Sequence, residues 1–177
     1  ATVTIISSNT SSLSLDGIGD RARITDGGPV GSGAIPSAYQ ISGSAITVEA
    51  WVYPMDAPAP GGVREIISRP ANSGFGVDPY RTFGLVVIGA DGFAGYPALS
   101  FVISDGVSTI GSAGEISVRD TAAVKVGEWT HVAGTYDGVN AKLYINGQLV
   151  RSVPFTASIG SGSTGLYVGG QANSSHY

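Results

Sequence analysis

The feature that most constrains this chain is the segment Ala141-Lys-Leu-Tyr-Ile-Asn-Gly-Gln-Leu-Val150. Asn146-Gly147 suits the central positions of a type I′ turn, where both residues need φ > 0, and strand-forming residues flank it on both sides. A tight hairpin follows. Asp137-Gly138 supplies a second turn just upstream, so Trp129 to Val153 reads as a three-stranded meander. A meander cannot bury a core alone, so further strands must pack on it. The sequence offers them as short runs rich in Val, Ile, Thr and Tyr between Gly, Asp-Gly or Pro turns, and nothing reads as a long helix.

The expected strands are Thr2–Ile6, Ser12–Leu15, Ala22–Ile24, Ile46–Tyr53, Arg64–Ser68, Thr82–Ile88, Ala98–Ser104, Trp129–Tyr136, Lys142–Ile145, Gln148–Val153 and Thr164–Val168. The stretches Gly27–Ser37, Pro54–Gly62 and Gly89–Pro97 read as loops. With 177 residues, the chain fits one all-β domain, 1–177, with one core.

Composition removes several function classes. Hydrophobic residues make up 42% of the chain and charged residues 12%, a pattern that argues against disorder. The net charge is -4 and no basic run is present, so a nucleic-acid partner is excluded. The longest apolar run, Leu85 to Ile88, has strand length, so no membrane insertion is expected. The lack of cysteine removes disulfides and thiolate chemistry. Ala1 in place of methionine matches a secreted chain after signal-peptide removal, as it would a trimmed one, and the expected location is extracellular or at the cell surface. So few charges leave a sticky surface unless glycans or partner subunits cover it. Two glycosylation sequons begin at Asn9 and Asn173.

Three segments carry a family resemblance. Leu13-Ser-Leu-Asp-Gly-Ile-Gly-Asp-Arg-Ala-Arg-Ile24 is similar to the opening L-x-F-D-G-x-x-D-x-V-x-I of laminin-G-like, or concanavalin A-like, domains. Ile46-Thr-Val-Glu-Ala-Trp-Val-Tyr-Pro54 resembles their F-T-I-E-A-W-V-x-P. Glu128-Trp-Thr-His-Val-Ala-Gly-Thr-Tyr-Asp-Gly138, with Leu143-Tyr-Ile-Asn-Gly147, resembles their central signature. The resemblance implies a two-sheet antiparallel β-sandwich of jelly-roll form. Such domains usually end on a segment like F-x-G-x-I-D-E-V-R-I, which closes a sheet. That segment is absent here, which would leave an open edge inviting self-association by an added strand. Ala1-Thr-Val-Thr-Ile-Ile-Ser7 is the expected donor. A fragment whose closing strand was cut away or lies in another chain would read the same way.

Catalysis finds no support in the residues. Glycoside hydrolases of related fold place carboxylates at alternate positions of one strand. Glu49, Glu65, Glu115 and Glu128 are followed two residues on by Trp51, Ile67, Ser117 and Thr130, so none forms that pair. His131 alternates with Trp129 and Ala133 and reads as a half-buried, hydrogen-bonded structural histidine; His176 carries no signal. Calcium is the one cofactor worth weighing. Asp16, Gly17 and Asp20 offer oxygen ligands in a tight loop, and the alternative there is a turn capped by its own side chains. For glycan recognition the candidates are Tyr80, Phe93, Tyr96, Asp78, Asn72 and Arg81, with aromatic faces for sugar C–H surfaces and polar groups for hydroxyls. The other possibility for these loop aromatics is to plug the ends of the sandwich. The resemblance places Trp51 and Trp129 in core signatures, as packing residues.

The expected function is therefore a non-catalytic extracellular recognition or adhesion module that binds a glycan or a surface protein. The alternative is a structural subunit of a filament or surface assembly joined by strand complementation, with a glycoside hydrolase a distant third.

Overall fold

In a computed structural model the described residues are 12–16, 20–24, 40–71, 79–90, 98–120, 124–162 and 165–170. Among them ten β-strands form: β1 (Ala22–Ile24), β2 (Ile46–Val52), β3 (Val63–Pro70), β4 (Arg81–Ile88), β5 (Ala98–Ser104), β6 (Glu115–Asp120), β7 (Thr130–Tyr136), β8 (Asn140–Ile145), β9 (Gln148–Pro154) and β10 (Leu166–Val168). All pairings are antiparallel, in a six-stranded sheet of order β1-β10-β3-β4-β5-β6 and a four-stranded sheet of order β2-β7-β8-β9. This is the two-layer jelly-roll sandwich implied by the resemblance.

The core lies between the sheets because apolar side chains alternate inward. Val48, Val132 and Leu143 from the four-stranded sheet meet Ile67, Leu85, Phe101 and Val118 from the six-stranded one. Gly134 of β7 sits beneath the Phe101 ring; a Cβ there would lie 2.2 Å from Phe101 Cδ2. Every residue of β5 is buried, so both faces of this central strand are shielded from water. The Asn146-Gly147 turn has φ 49° and 77°, as the type I′ geometry requires. Arg69 is buried, and among the described residues it pairs with no carboxylate. Its Nη1 donates to the Ile41 carbonyl and its Nη2 to that of Gly162, both at 2.9 Å, clamping two loops. Burial lowers the pKa of its guanidinium.

The meander Trp129–Val153 forms as β7-β8-β9. Three expectations need correction. Glu115–Asp120 forms β6, although no strand was expected there; its charged residues hide a ladder in which Val118 alone is fully buried. Ser12–Leu15 lies in no ladder among the described residues; Leu13 is exposed, while Leu15 sits against Gly169 just after β10. β10 is confined to Leu166–Val168. Thr2–Ile6, Thr164, the loop Gly27–Ser37 and positions 91–97 lie outside the described residues, as do Asn9, Asn173, Gly17, Asn72, Asp78, Phe93 and Tyr96.

The described residues leave four sheet edges, and three are guarded. β1 has only three residues and carries Arg23, β6 carries Glu115, Arg119 and Asp120, and β9 carries Arg151 and ends on Pro154. β2 differs: its seven residues hold one charge, Glu49, and its backbone pairs only with β7 among the described residues.

Candidate functional site: an exposed aromatic face

Register alone places the site. Trp51 of β2 stands opposite His131 of β7, and Glu49 opposite Ala133. Ile46 and Val48 occupy the buried parity of β2. Thr47, Glu49 and Trp51 therefore point away from the core, and Tyr53 and Trp129, one residue beyond the paired segments, continue the same row.

The side chains follow this rule. Trp51 is 65% exposed, Trp129 54% and Tyr53 43%, which overturns the packing role expected of the two tryptophans. Their parity is the reason: the residues that pack inward are their neighbours Ala50, Val52 and Thr130. The rings pair across the strands. Trp51 and His131 lie 5.4 Å apart between centroids and tilted by 55°; Tyr53 and Trp129 lie 5.5 Å apart, tilted by 52°. The two indoles thus occupy diagonal corners of a four-ring cluster. Apolar Met55, Val126 and Leu149 add exposed surface on flanking segments.

Several contacts hold the face. The Gly127 N–H donates to the Pro54 carbonyl at 2.9 Å, joining the segments that follow Tyr53 and precede Trp129. Gly127 has φ 76°, a backbone conformation that favours glycine. The His131 N–H donates to Asn146 Oδ1 at 3.0 Å, and the Asn146 N–H donates back to the His131 carbonyl at 2.8 Å. The β8–β9 turn therefore anchors the strand that carries His131. His131 is half-buried, as expected, with Nε2 3.6 Å from Glu49 Oε2.

Charges around the face come in pairs. Lys125 lies 3.6 Å from Glu128, and Lys142 Nζ donates to Asp137 Oδ2 at 2.8 Å. The Lys142 hydrogen bond, with backbone N–H donors from Asn140 and Val139, lowers the Asp137 carboxyl to about 2.

Two of the sequence-derived ligand candidates fall elsewhere. Tyr80 and Arg81 line a hollow of about 40 Å³ with Ile88, Val102, Glu115 and Ser117, room for a few waters. Tyr80 is partly exposed, while Arg81 is largely buried and donates to Glu65 Oε1. Among the described residues the Arg81 Nε has no hydrogen-bond partner. Asp16 and Asp20 are both exposed, and the Asp16 N–H donates to Asp20 Oδ2 at 3.3 Å. Among the described residues no three His, Asp or Glu groups cluster as metal ligands would. The glutamates lie apart, Glu49 on β2, Glu65 on β3, Glu115 on β6 and Glu128 before β7.

A family model described as the concanavalin A-like lectin/glucanases superfamily matches residues 26–177. The chain belongs to this superfamily. Comparison of this laminin-G-like domain with curated protein sequences finds no match. Among solved structures it is similar to the binding domain of botulinum neurotoxin serotype G, with TM-score 0.55 and 14% identity over 80% of this chain and 33% of that one. It is also similar to the Ruminococcus gnavus IT-sialidase module CBM40 bound to α2,3-sialyllactose, with TM-score 0.51 and 17% identity over 74% of this chain and 64% of that one. Domain 4 of the arabinanase AbnA from Geobacillus stearothermophilus, in complex with arabinotriose, matches with TM-score 0.49 and 20% identity over 77% and 55%. The domain spans less than two thirds of the length of each of these chains. At such identities the likeness concerns the fold. Among the described residues no helix is long and apolar enough to cross a membrane.

Proposed function

We propose that this laminin-G-like domain is a non-catalytic, extracellular glycan-recognition module whose binding surface is the outward face of the four-stranded sheet. The observation that carries this reading is the exposure of Trp51, Tyr53 and Trp129 together on one sheet face. Soluble proteins rarely leave a contiguous aromatic patch in water unless it meets a partner. Indole and phenol rings suit the C–H faces of sugars, while Glu49 and His131 beside Trp51 offer hydrogen bonds to hydroxyls. Superfamily membership and the fold shared with a sialyllactose-bound module support the same reading. The test is affinity electrophoresis and calorimetry against a polysaccharide panel, comparing wild type with Trp51→Ala and Trp129→Ala. Retained affinity in both folded variants would remove the aromatic face from the site.

A second reading, assembly through strand addition, is favoured by β2 as the unguarded edge. It predicts large oligomers in light scattering after size exclusion, dispersed by Thr47→Lys; a monomer at all concentrations argues against it.

A further inference from the structure

We infer that the aromatic face takes internal units of an extended, uncharged polysaccharide chain rather than a terminal sugar. This rests on the glycan reading above and concerns what the same face selects. Recognition of a single terminal sugar calls for enclosure, because a small ligand must bury most of its own surface to bind. Here the ligand-facing rings stand out from a sheet, with Trp51 at the open edge strand β2 and Met55, 80% exposed, beyond Tyr53. Trp51 itself is 65% exposed, too open to enclose a single sugar.

The arrangement instead repeats. Trp51 is paired across the strands with His131, and Trp129 lies two residues before His131, so the indoles are diagonal neighbours. Diagonal positions on adjacent antiparallel strands lie roughly 7–8 Å apart, close enough for one oligosaccharide to lie across both rings. Two stacking positions so placed can be met together by one chain running obliquely over β2 and β7, which a single sugar would not span. Each ring contributes little by itself, and affinity accumulates with the number of units held at once. The ring pairs are tilted by 55° and 52°, so the surface is ridged and suits a twisted chain better than a flat sheet of chains.

Charge sets the other half of the specificity. Charges about the face are paired, Glu49 with His131, Glu128 with Lys125, Asp137 with Lys142 and, beside Met55, Asp56 with Arg64. A polyanion would find no surplus cation here, so a neutral chain is favoured.

The experiment is calorimetry with neutral β-1,4-glucan, β-1,3-glucan, xylan and mannan, their monosaccharides, their two- to six-unit oligomers, and end-blocked hexamers. Carboxymethylcellulose and polygalacturonate serve as charged counterparts. The expected result is at least a tenfold gain in affinity, about 1.4 kcal/mol, from dimer to hexamer of one neutral series, with end-blocked hexamers binding equally. Trp51→Ala and Trp129→Ala should each flatten that length dependence. A monosaccharide that binds as tightly as its hexamer, a loss of binding on end-blocking, or binding to the polyanions alone would overturn the inference while leaving glycan recognition intact. Absence of binding to every sugar would overturn both.

Discussion

Replacing Gly134 by alanine tests how tightly the two sheets are locked under the binding face. A Cβ at this position would lie 2.2, 2.3 and 2.7 Å from Phe101 Cδ2, Cγ and Cε2. Carbon atoms in contact sit about 3.5–4.0 Å apart, so ring and strand must separate by roughly 1.3 Å or more. Phe101 has no exposed surface, and a close-packed interior gives it nowhere to go. Overpacking of this kind costs about 1–3 kcal/mol, and three close contacts place Gly134→Ala at about 3 kcal/mol. For a chain of this size that is a fall in Tm of about 6–12 °C. Urea unfolding followed by circular dichroism measures it. Phe101→Ala alone should cost about 3–5 kcal/mol through the cavity it leaves. The double variant should cost less than the sum of the singles by at least about 1 kcal/mol, since each change relieves the other. A Gly134→Ala protein within about 0.5 kcal/mol of wild type, or strict additivity in the cycle, refutes the packing argument.

Trp51→Ala and Trp129→Ala should each change stability by less than about 1 kcal/mol, because both side chains are largely in water; a thermal melt several degrees lower would return them to the core. Asn146→Ala should cost about 1–2 kcal/mol, since alanine resists φ 49° and leaves the His131 N–H without its side-chain acceptor. Asn146→Gly tolerates the backbone and should cost less; equal losses in urea melts would show that φ is not the cause. The Asp137 carboxyl, about 2 in the folded protein, lies below its unfolded value, so its contribution to stability is complete above about pH 4 and fades as pH falls towards 2. Carboxyl NMR titration should give that low midpoint in wild type and a higher one in Lys142→Ala, and an unmoved midpoint would discount the Lys142 hydrogen bond.

Where local chemistry fixes the backbone, the sequence was readable. Asn146-Gly147 and Asp137-Gly138 can close only tight turns, and the strands on either side form in the order they imply. β6 escaped because an edge strand whose buried residues are Val118 and the charged Glu115 carries too little apolar alternation to be seen. Ser12–Leu15 misled for the opposite reason: it alternates, yet no described strand pairs with it. The aromatic site was available in the residues themselves. In Ile46-Thr-Val-Glu-Ala-Trp-Val the β-branched apolar residues take the even positions, so Trp51 shares its parity with Thr47 and Glu49 and must face water. The family signature drew it into the core; two-residue periodicity would have kept it out. The meeting of Trp129 with Tyr53 depends on strands far apart in sequence, and no local pattern contains it.

The strict alternation on β2 and β7 has an evolutionary corollary. Val48, Ala50, Val52, Val132 and Gly134 are tied to the opposite sheet, whereas Glu49, Trp51, Tyr53, Trp129 and His131 answer to nothing beneath them. Substitutions in the outward row can therefore retune which partner is held without disturbing the scaffold. One framework can carry many specificities, with each outward position open to selection almost independently of folding.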